Sequence, residues 1–447
     1  MTSLTYKRGQ EILRCKPLAH ILNKQNVQEY CDYCLAFNCD GKHKQCSRCR
    51  IVQYCGGSCQ KLAWKAYHRQ ECMYLRQKSW SNIPEDYVRL IFRLMVKLSK
   101  DNGTVQSKLP NGSFRGFEVL MSHKERIETN KLRMKEFQQL FEDLQTFLKD
   151  ASCQNMMPSR SKVLEIYGKT VINSLTIYNV LQDPIGSGVY LAASVFDHSC
   201  VPNATWHCIG TTLVVRAIED ITDFDDVRIS YIPRLYERTF QRQELLNSMY
   251  YFSCNCSFCQ DTDSENCKSS TKCSDCGFCV PLTSEKCPKC GLKIDASRLE
   301  KYAQIQKVVK KLVHEETADD VQLIECVMKE SLKVMHSFDK DLMNFMKLAF
   351  RKFKTKEKYE ICYVLMKPII SNLQKHFPPF YDTLGLTFIS ASEVCLKLRR
   401  FKEAKNFIKS AEDIFKVSHG DDHLILTNGC AKIRHEIATN SKKSNMK

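Results

Sequence analysis

The period of the hydrophobic and polar positions changes along the chain and divides it into segments. Residues 5–25 carry short apolar clusters that are typical of strands. Across 84–150 the apolar residues recur at i, i+3 and i+4, which predicts amphipathic helices. Around 166–232 the pieces become short and β-rich, and beyond about residue 296 long amphipathic helices return. We therefore predict an α+β fold, in which a β-rich part is interrupted and then followed by helices.

The second helical region contains a helix, a short basic turn and another helix. A small-residue face at Ser390, Ala391 and Ser392 precedes FKEAKNFIKSAEDIF, whose apolar residues have helical spacing. This layout is typical of a tetratricopeptide-like hairpin, and 343–370 has the pattern of a weaker copy. A generic helical domain is the open alternative.

Residues 31–72 carry eight thiol and imidazole side chains at spacings typical of zinc ligands. The spacings are C-x2-C, C-x2-C, C-x3-C and H-x3-C. Zinc takes four such ligands, and a gap of two or three residues lets one tight turn present two of them to one ion. The segment therefore predicts a module folded around two zinc ions, with the ligands Cys31, Cys34, Cys46, Cys49, Cys55, Cys59, His68 and Cys72.

Two further cysteine groups follow the β-rich part. The first is C-x-C-x2-C, which is one ligand short of a zinc site unless the cysteine of DHSC completes it: Cys254, Cys256, Cys259 and Cys200. The second is a pair of C-x2-C-G knuckles, which predicts a small zinc ribbon with a left-handed glycine turn after each pair: Cys273, Cys276, Cys287 and Cys290. Whether Cys39, Cys267 or Cys279 replaces one of these ligands stays open.

Composition defines the surroundings of these sites. The chain has 447 residues and 25 cysteines, with no signal-peptide pattern at its start and no apolar run long enough for a membrane span. This favours metal binding in a reducing compartment over disulfides. The formal charge of +17 falls to about +10 when the thiolates and ions of four zinc sites are included. Because Lys and Arg are scattered through helices, we do not expect specific DNA binding.

These motifs together resemble the SET-and-MYND (SMYD-type) family of protein lysine methyltransferases. The eight-ligand module matches the MYND finger at every ligand position. SVFDHSCVPNA resembles the family's N-H-S-C-x-P-N element, VRISYI its tyrosine-bearing strand, and FSCNCSFC its post-SET cysteines. The resemblance spans nearly the whole chain. It implies a SET domain that is split by the MYND finger and a helical insert, and a helical tail that restricts substrate entry.

The resemblance also implies domain boundaries. The helical tail would end before a polar C-terminal segment that we expect to be disordered. In chain order the boundaries are 1–30 for the truncated N-terminal part of the SET domain, 31–72 for the MYND finger, 73–165 for the helical insert, 166–235 for the core SET domain, 236–260 for the post-SET zinc site, 261–295 for the zinc ribbon insertion, 296–439 for the tetratricopeptide-like domain and 440–447 for the disordered tail.

The family chemistry is transfer of a methyl group from S-adenosylmethionine to a lysine amine. This in-line displacement requires alignment of the sulfonium, the methyl group and a deprotonated amine, and the zinc ions, about four, would be structural. The resemblance implies that Tyr231 is the catalytic tyrosine that orients the amine and that Tyr250 lines the substrate channel. It places at the cofactor the residues Asn173, Ser194, Phe196, Asp197, His198 and Phe252.

Two departures from the family pattern point to weakened cofactor binding. The family has a G-x-G turn upstream of the stretch matched by KRGQEILRCKPLAHIL, and the seven residues that precede Arg8 do not contain it. The family asparagine is replaced by Asp197, and an ionised carboxylate accepts hydrogen bonds but cannot donate them. A second hypothesis is therefore a catalytically weak or inactive scaffold that binds partners through the MYND finger and the helical tail.

The expected partners follow from the same resemblance. As a methyltransferase the chain would act on a lysine of a histone or another protein. MYND fingers resemble modules that bind proline-rich peptides, so such a peptide is a possible partner of residues 31–72. We expect a monomer without a membrane partner, located in the nucleus and the cytoplasm.

Overall fold

The computed structural model describes residues 5–79, 82–100, 104–150, 156–315 and 320–445. These residues form a mixed fold of strands and helices that divides into two compact units. Unit 1 comprises Met1–Asp197, Trp206–Val227 and Met249–Tyr251. Unit 2 comprises His198–Thr205, Arg228–Ser248 and Phe252–Lys447.

The strands are short and pair into small antiparallel sheets. Their bounds are β1 Glu11–Cys15, β2 Ala19–Leu22, β3 Lys44–Gln45, β4 Gln53–Tyr54, β5 Gln106–Lys108, β6 Phe114–Gly116, β7 Ser174–Tyr178, β8 Pro184–Val189, β9 Asp197–His198, β10 Ala204–Ile209, β11 Thr212–Ala217, β12 Arg228–Ile229, β13 Ser270–Lys272 and β14 Cys279–Pro281. The described sheets have the strand orders β1–β11–β10, β2–β8–β7, β3–β4, β5–β6, β9–β12 and β13–β14. The apolar clusters within 5–25 thus form β1 and β2, and β2 is buried along its whole length.

Helices make up most of residues 73–165 and of the C-terminal region. Their bounds are α1 Gly57–Ala63, α2 Arg69–Leu75, α3 Asp86–Lys100, α4 Lys124–Thr129, α5 Lys131–Asp150, α6 Arg160–Asn173, α7 Thr239–Tyr250, α8 Ser257–Gln260, α9 Thr262–Cys267, α10 Ala296–Glu315, α11 Val321–Val334, α12 Lys340–Thr355, α13 Tyr359–His376, α14 Asp382–Lys397, α15 Phe401–Ser418 and α16 Ala431–Asn445. Short 3-10 turns cover Lys24–Asn26, Ala192–Val195 and Phe224–Asp226, and π-helical turns cover Trp64–His68 and Ile425–Cys430. Among the described residues, no helix has the length and apolarity needed to cross a membrane.

Two helical hairpins in unit 2 share the same turn. Glu357 between α12 and α13 has φ +56°, and Arg399 between α14 and α15 has φ +58°. At each turn, the residue that follows donates its backbone N–H to a carbonyl five residues earlier. In the second hairpin, a Cβ on Gly385 would lie 2.6 Å from the Phe415 ring, so the two helices pack too closely there for a side chain. The helix–turn–helix pattern and its upstream copy are thus both present as helical hairpins.

Several segments differ from the expected secondary structure. The β5–β6 hairpin interrupts the helices predicted across 84–150, and α6 runs to Asn173, into the region predicted as β-rich. β12 ends at Ile229, so Tyr231 lies in the turn that follows the strand rather than in the strand. The Ser230 hydroxyl donates to the Ile232 carbonyl (2.7 Å) and Pro233 has no N–H, and both favour a turn over a continued strand. At the C-terminus, α16 continues to Asn445, so helix is described in most of 440–447, and residues 446–447 lie outside the described residues.

Candidate zinc centres and active-site residues

The eight ligands of residues 31–72 separate into two interleaved groups. One group consists of Cys31, Cys34, Cys55 and Cys59, and the other of Cys46, Cys49, His68 and Cys72. Within each group the ligand atoms lie within 4.8 Å of one another, as zinc coordination requires. Each group combines one pair from the first half of the segment with one from the second. The spacing of the motifs alone did not reveal this pairing.

A buried network of charged side chains supports the second zinc centre. Nε2 of His68 faces Cys49 (3.8 Å), while its Nδ1 lies 3.6 Å from Oε2 of Glu71. A carboxylate beside the second imidazole nitrogen is the usual support of a zinc-bound histidine. Glu71 accepts hydrogen bonds from Arg89 (2.8 Å) and from Arg93 (2.9 Å) on α3. Glu71, Arg89 and Arg93 are not among the residues predicted from the sequence.

The same network reaches the other zinc centre through Asp32, the neighbour of Cys31. Arg93 donates from Nη2 to both oxygens of Asp32 (3.0 and 2.9 Å), and the hydroxyl of Tyr67 donates to the same carboxylate (3.0 Å). Asp32 and Glu71 are both fully buried. A buried carboxylate requires a partner of opposite charge, so the two arginines balance the two acids. The signal that was missed is the pair of acidic residues adjacent to metal ligands.

The third group lies in unit 2 and contains Cys200, Cys254, Cys256 and Cys259, so the DHSC cysteine joins the C-x-C-x2-C motif. Four thiolates around one Zn²⁺ leave a charge of −2, which favours a nearby cation. The buried Arg242 supplies this charge, because its Nη2 lies 3.3 Å from Sγ of Cys259. The donor set therefore fits a structural zinc ion.

The two C-x2-C-G knuckles form the fourth group, which contains Cys273, Cys276, Cys287 and Cys290. Gly277 has φ +72° and Gly291 has φ +73°, as the glycine pattern predicts. β13 and β14 form a hairpin beside the site, and Val280 packs against Cys273 and Cys287. Cys39, Cys267 and Cys279 belong to none of the four groups found among the described residues.

An aromatic group in unit 2 contains three of the predicted active-site residues. The ring centroids of His198 and Tyr231 are 5.4 Å apart, those of His198 and Phe252 5.9 Å, and those of Tyr231 and Phe252 6.2 Å. The backbone N–H of Tyr231 donates to Nδ1 of His198 (3.0 Å). Because Nδ1 accepts, Nε2 carries the proton and donates to Sγ of Cys200 (3.3 Å). His198 therefore connects the tyrosine turn to a predicted zinc ligand.

Unit 1 contains the other predicted cofactor residues. Asn173 donates its amide hydrogens to the carbonyls of Met121 (2.9 Å) and Lys169 (2.8 Å), which directs its acceptor oxygen elsewhere. Arg115, which is not among the residues predicted from the sequence, donates to the hydroxyl of Ser194 (3.3 Å) and adds a cation there.

The remaining unit 1 candidates differ in burial. Phe196 is buried against Phe224, with 5.6 Å between the ring centroids, whereas Asp197 is exposed. Burial raises the pKa of Tyr250 to about 12, with smaller contributions from Tyr87 and Tyr178. The Tyr250 phenol therefore stays protonated at neutral pH.

Comparison with known proteins identifies the finger and extends the match to the whole chain. Residues 31–72 match the MYND finger family. The chain is similar to histone-lysine N-methyltransferase ASHR1 of Arabidopsis thaliana, with 27% identity over 438 residues that cover 94% of this chain and 89% of ASHR1. It is similar to histone-lysine N-methyltransferase SMYD3 of Homo sapiens, with 26% identity over 432 residues that cover 94% and 90%. For N-lysine methyltransferase SMYD2 of Homo sapiens, the identity is 23% over 423 residues that cover 94% and 91%.

The fold and the ligand groups define a zinc-binding protein of mixed α and β structure, with a MYND finger in its N-terminal half and a helical C-terminal region. The similarity to the three methyltransferases extends over more than nine-tenths of the chain and includes the finger. The chain therefore resembles the SET-and-MYND methyltransferase family along nearly its whole length, as the sequence motifs predicted.

Proposed function

We propose that this chain is a protein-lysine N-methyltransferase that uses S-adenosylmethionine. The observation that supports this most directly is the match along 94% of the chain to ASHR1, SMYD3 and SMYD2, which are named histone-lysine or N-lysine methyltransferases. If only a binding module were shared, the match would be confined to the finger. The match instead extends over nearly the whole chain. The comparisons therefore do not favour the inactive scaffold.

In this proposal Tyr231 is the catalytic residue. Its position is determined by the hydrogen bond from its backbone N–H to His198 and by ring contacts with His198 and Phe252. A phenol held in this way can form one hydrogen bond with the lysine amine and so align the lone pair of the amine. The faces of the aromatic rings favour a methylated ammonium. Tyr250 is proposed to line the substrate channel.

The groups proposed to hold S-adenosylmethionine fit its amino-acid part. Asn173 offers a carbonyl oxygen and Asp197 an exposed carboxylate, and both suit an ammonium group. Arg115, beside Ser194, offers a cation for a carboxylate. Phe196, His198 and Phe252 complete the proposed set. When bound, the cofactor supplies an electrophilic methyl group on a sulfonium. The proposed role of the residues named here is to bind the cofactor and orient it.

The finer layout is part of the proposal. The helical hairpins α12–α13 and α14–α15 support a tetratricopeptide-like tail, and the four ligand groups support about four structural zinc ions. We also propose that the SET domain is split as the resemblance implies, that the finger at 31–72 can take a proline-rich peptide, and that the chain acts as a monomer in the nucleus and the cytoplasm.

The test is methyl transfer by the zinc-loaded full chain. Purified protein is incubated with core histones and S-adenosylmethionine carrying a labelled methyl group, and label on lysine is measured by mass spectrometry. We expect turnover by the natural chain and a loss of at least about 100-fold in the Tyr231→Phe variant, because the missing hydroxyl no longer positions the amine.

Tyr236→Phe is the matched control, because it removes a hydroxyl from the same unit, where Tyr236 donates to Asn344 (3.1 Å). It should retain most of the activity. Calorimetry should show S-adenosylmethionine binding to both variants within a few-fold of the natural chain. Absence of both turnover and cofactor binding in the natural chain would support the scaffold instead, and unchanged turnover in the Tyr231 variant would reject the catalytic role.

A further inference from the structure

We propose that a cavity in unit 1 is the docking site for a basic segment of the protein substrate, and this inference rests on the proposed methyltransferase function. The cavity has a volume of about 960 Å³. It is lined by the start of α3, by α5 and α6, and by Met249 near the end of α7. A space of this size accommodates several side chains of an extended peptide.

The charge of the lining is the first argument. Although the chain has a formal charge of +17, the cavity is lined by four acids and two bases: Glu85, Glu136, Glu142, Asp143, Arg133 and Lys135. Arg133 forms an ion pair with Glu136 (3.2 Å), which also accepts from Tyr167. The local excess of negative charge is complementary to a cationic ligand.

The state of the other carboxylates is the second argument. Within the described parts of the chain, Glu85, Glu142 and Asp143 form no ion pair with a Lys, Arg or His. Glu142 and Asp143 instead accept hydrogen bonds from the neutral amides of Gln138 and Gln139, one helical turn earlier on α5. These amides orient the carboxylates without neutralising them, so their charges remain available to the lysines and arginines of a ligand.

Apolar side chains supply the rest of the lining and suit the aliphatic parts of such a segment. Leu132 is 75% exposed, and Tyr87 and Met249 are partly exposed. A cavity that combines acids with exposed apolar side chains fits the long aliphatic stems and charged heads of lysine and arginine.

The cavity also lies beside Tyr250, the residue proposed to line the lysine channel. Met249 immediately precedes Tyr250 on α7, and Tyr87 contributes both to the cavity lining and to the surroundings of the Tyr250 phenol. A segment bound there would therefore lie beside Tyr250. The implied substrate class is a protein whose target lysine lies within a Lys- and Arg-rich segment.

The first test is peptide binding to the zinc-loaded full chain without cofactor. The probe is a fluorescein-labelled peptide in which Arg and Leu alternate around one Lys, and Kd is measured by fluorescence anisotropy. The double variant Glu142→Gln/Asp143→Asn should weaken binding about tenfold and flatten its salt dependence, because two exposed charge pairs are lost. Glu300→Gln/Glu315→Gln, which neutralises two exposed carboxylates on α10, should leave Kd unchanged.

The second variant introduces repulsion without removing an internal contact. Leu132→Lys places a cation at an exposed position of the lining and should weaken the same peptide at least as much. Equal binding of a peptide with Glu in place of Arg, or an unchanged Kd in both cavity variants, would overturn the docking site. Intact, charge-dependent peptide binding without any methyl transfer would instead reject the proposed enzymatic function and leave the docking site standing.

Discussion

At the residue scale, four knuckles in two zinc modules use the same backbone conformation with different residues. Leu35, Arg50, Gly277 and Gly291 each follow the second cysteine of a C-x2-C pair, with φ between +57° and +73°. Each donates its backbone N–H to the carbonyl of the first cysteine, at 2.9 to 3.1 Å. The ligand spacing therefore determines the turn, and glycine only lowers its conformational cost.

Replacing Gly291 with alanine should loosen the zinc ribbon. A Cβ at this position would have open space around it, so the penalty comes from the left-handed backbone alone, about 1 kcal/mol. Native-state hydrogen exchange of the amides in 273–291 should become about fivefold faster in Gly291→Ala. Gly57→Ala is the control. A Cβ on Gly57 would also have open space around it, but Gly57 has no left-handed φ, so this variant should not change exchange in the ribbon. Equal exchange in all three proteins would contradict this account.

At the element scale, one carboxylate connects three elements of unit 2. Asp339 caps α12 by accepting from the backbone N–H of Asp341 (2.9 Å) and Leu342 (3.1 Å). It also accepts from the hydroxyl of Tyr302 on α10 (2.5 Å) and from the backbone N–H of Ser270 on β13 (3.2 Å). The residue is completely buried. Burial raises its pKa to about 6, because the hydrogen bonds that it accepts lower the pKa by less than burial raises it.

This raised pKa predicts that α12 becomes less stable as the pH rises. Between the ordinary aspartate pKa of about 4 and the folded value of about 6, the folded state binds more protons than the unfolded state. The opening free energy of α12, from hydrogen exchange, should therefore fall by about 1 kcal/mol between pH 5 and pH 7. Asp339→Asn retains the cap but cannot titrate, so its opening free energy should not follow this trend. A parallel decrease in both proteins would assign the effect to other groups.

Elements and ligands that depend on local spacing could be predicted from the sequence, whereas most pairings between distant segments could not. The exception is Cys200, which was predicted because C-x-C-x2-C lacks a fourth ligand. The knuckles and the α14–α15 hairpin follow from residues a few positions apart. The interleaving of Cys31 with Cys55, or the burial of Arg89 and Arg93 within the apolar face of α3, depends on contacts across the chain. β12 ended early for a local reason, the Ser230 turn. The roles of Tyr231 and the cofactor residues stay predictions.

At the scale of the whole molecule, metal binding changes the charge and the folding of the chain together. The four ligand groups contain fifteen cysteines and one histidine. Zinc binding requires deprotonated thiolates, so the loaded chain is less basic than its formal charge of +17 indicates. Both units contain such groups, and folding of each unit is therefore coupled to zinc.

Metal analysis of the purified protein should give about four zinc ions per chain. Chelation should remove them and cause loss of structure in the finger and the ribbon, because small zinc modules lack a core large enough to fold alone. Circular dichroism before and after chelation measures this loss. A count of two ions would exclude the Cys200 group and the ribbon. A count of four without loss of structure on chelation would contradict the folding role.

The buried network around Arg93 has a consequence for how the MYND finger behaves outside its chain. Asp32 and Glu71 lie within residues 31–72, but both guanidinium groups that neutralise them come from α3. An excised finger would retain all eight zinc ligands and lose both counter-charges, leaving two carboxylates without a guanidinium partner next to its ligands. Peptide affinities measured on such a fragment would then describe a loosened domain with an altered surface. We therefore expect the smallest autonomous form of this finger to include Arg89 and Arg93 and so to extend into α3.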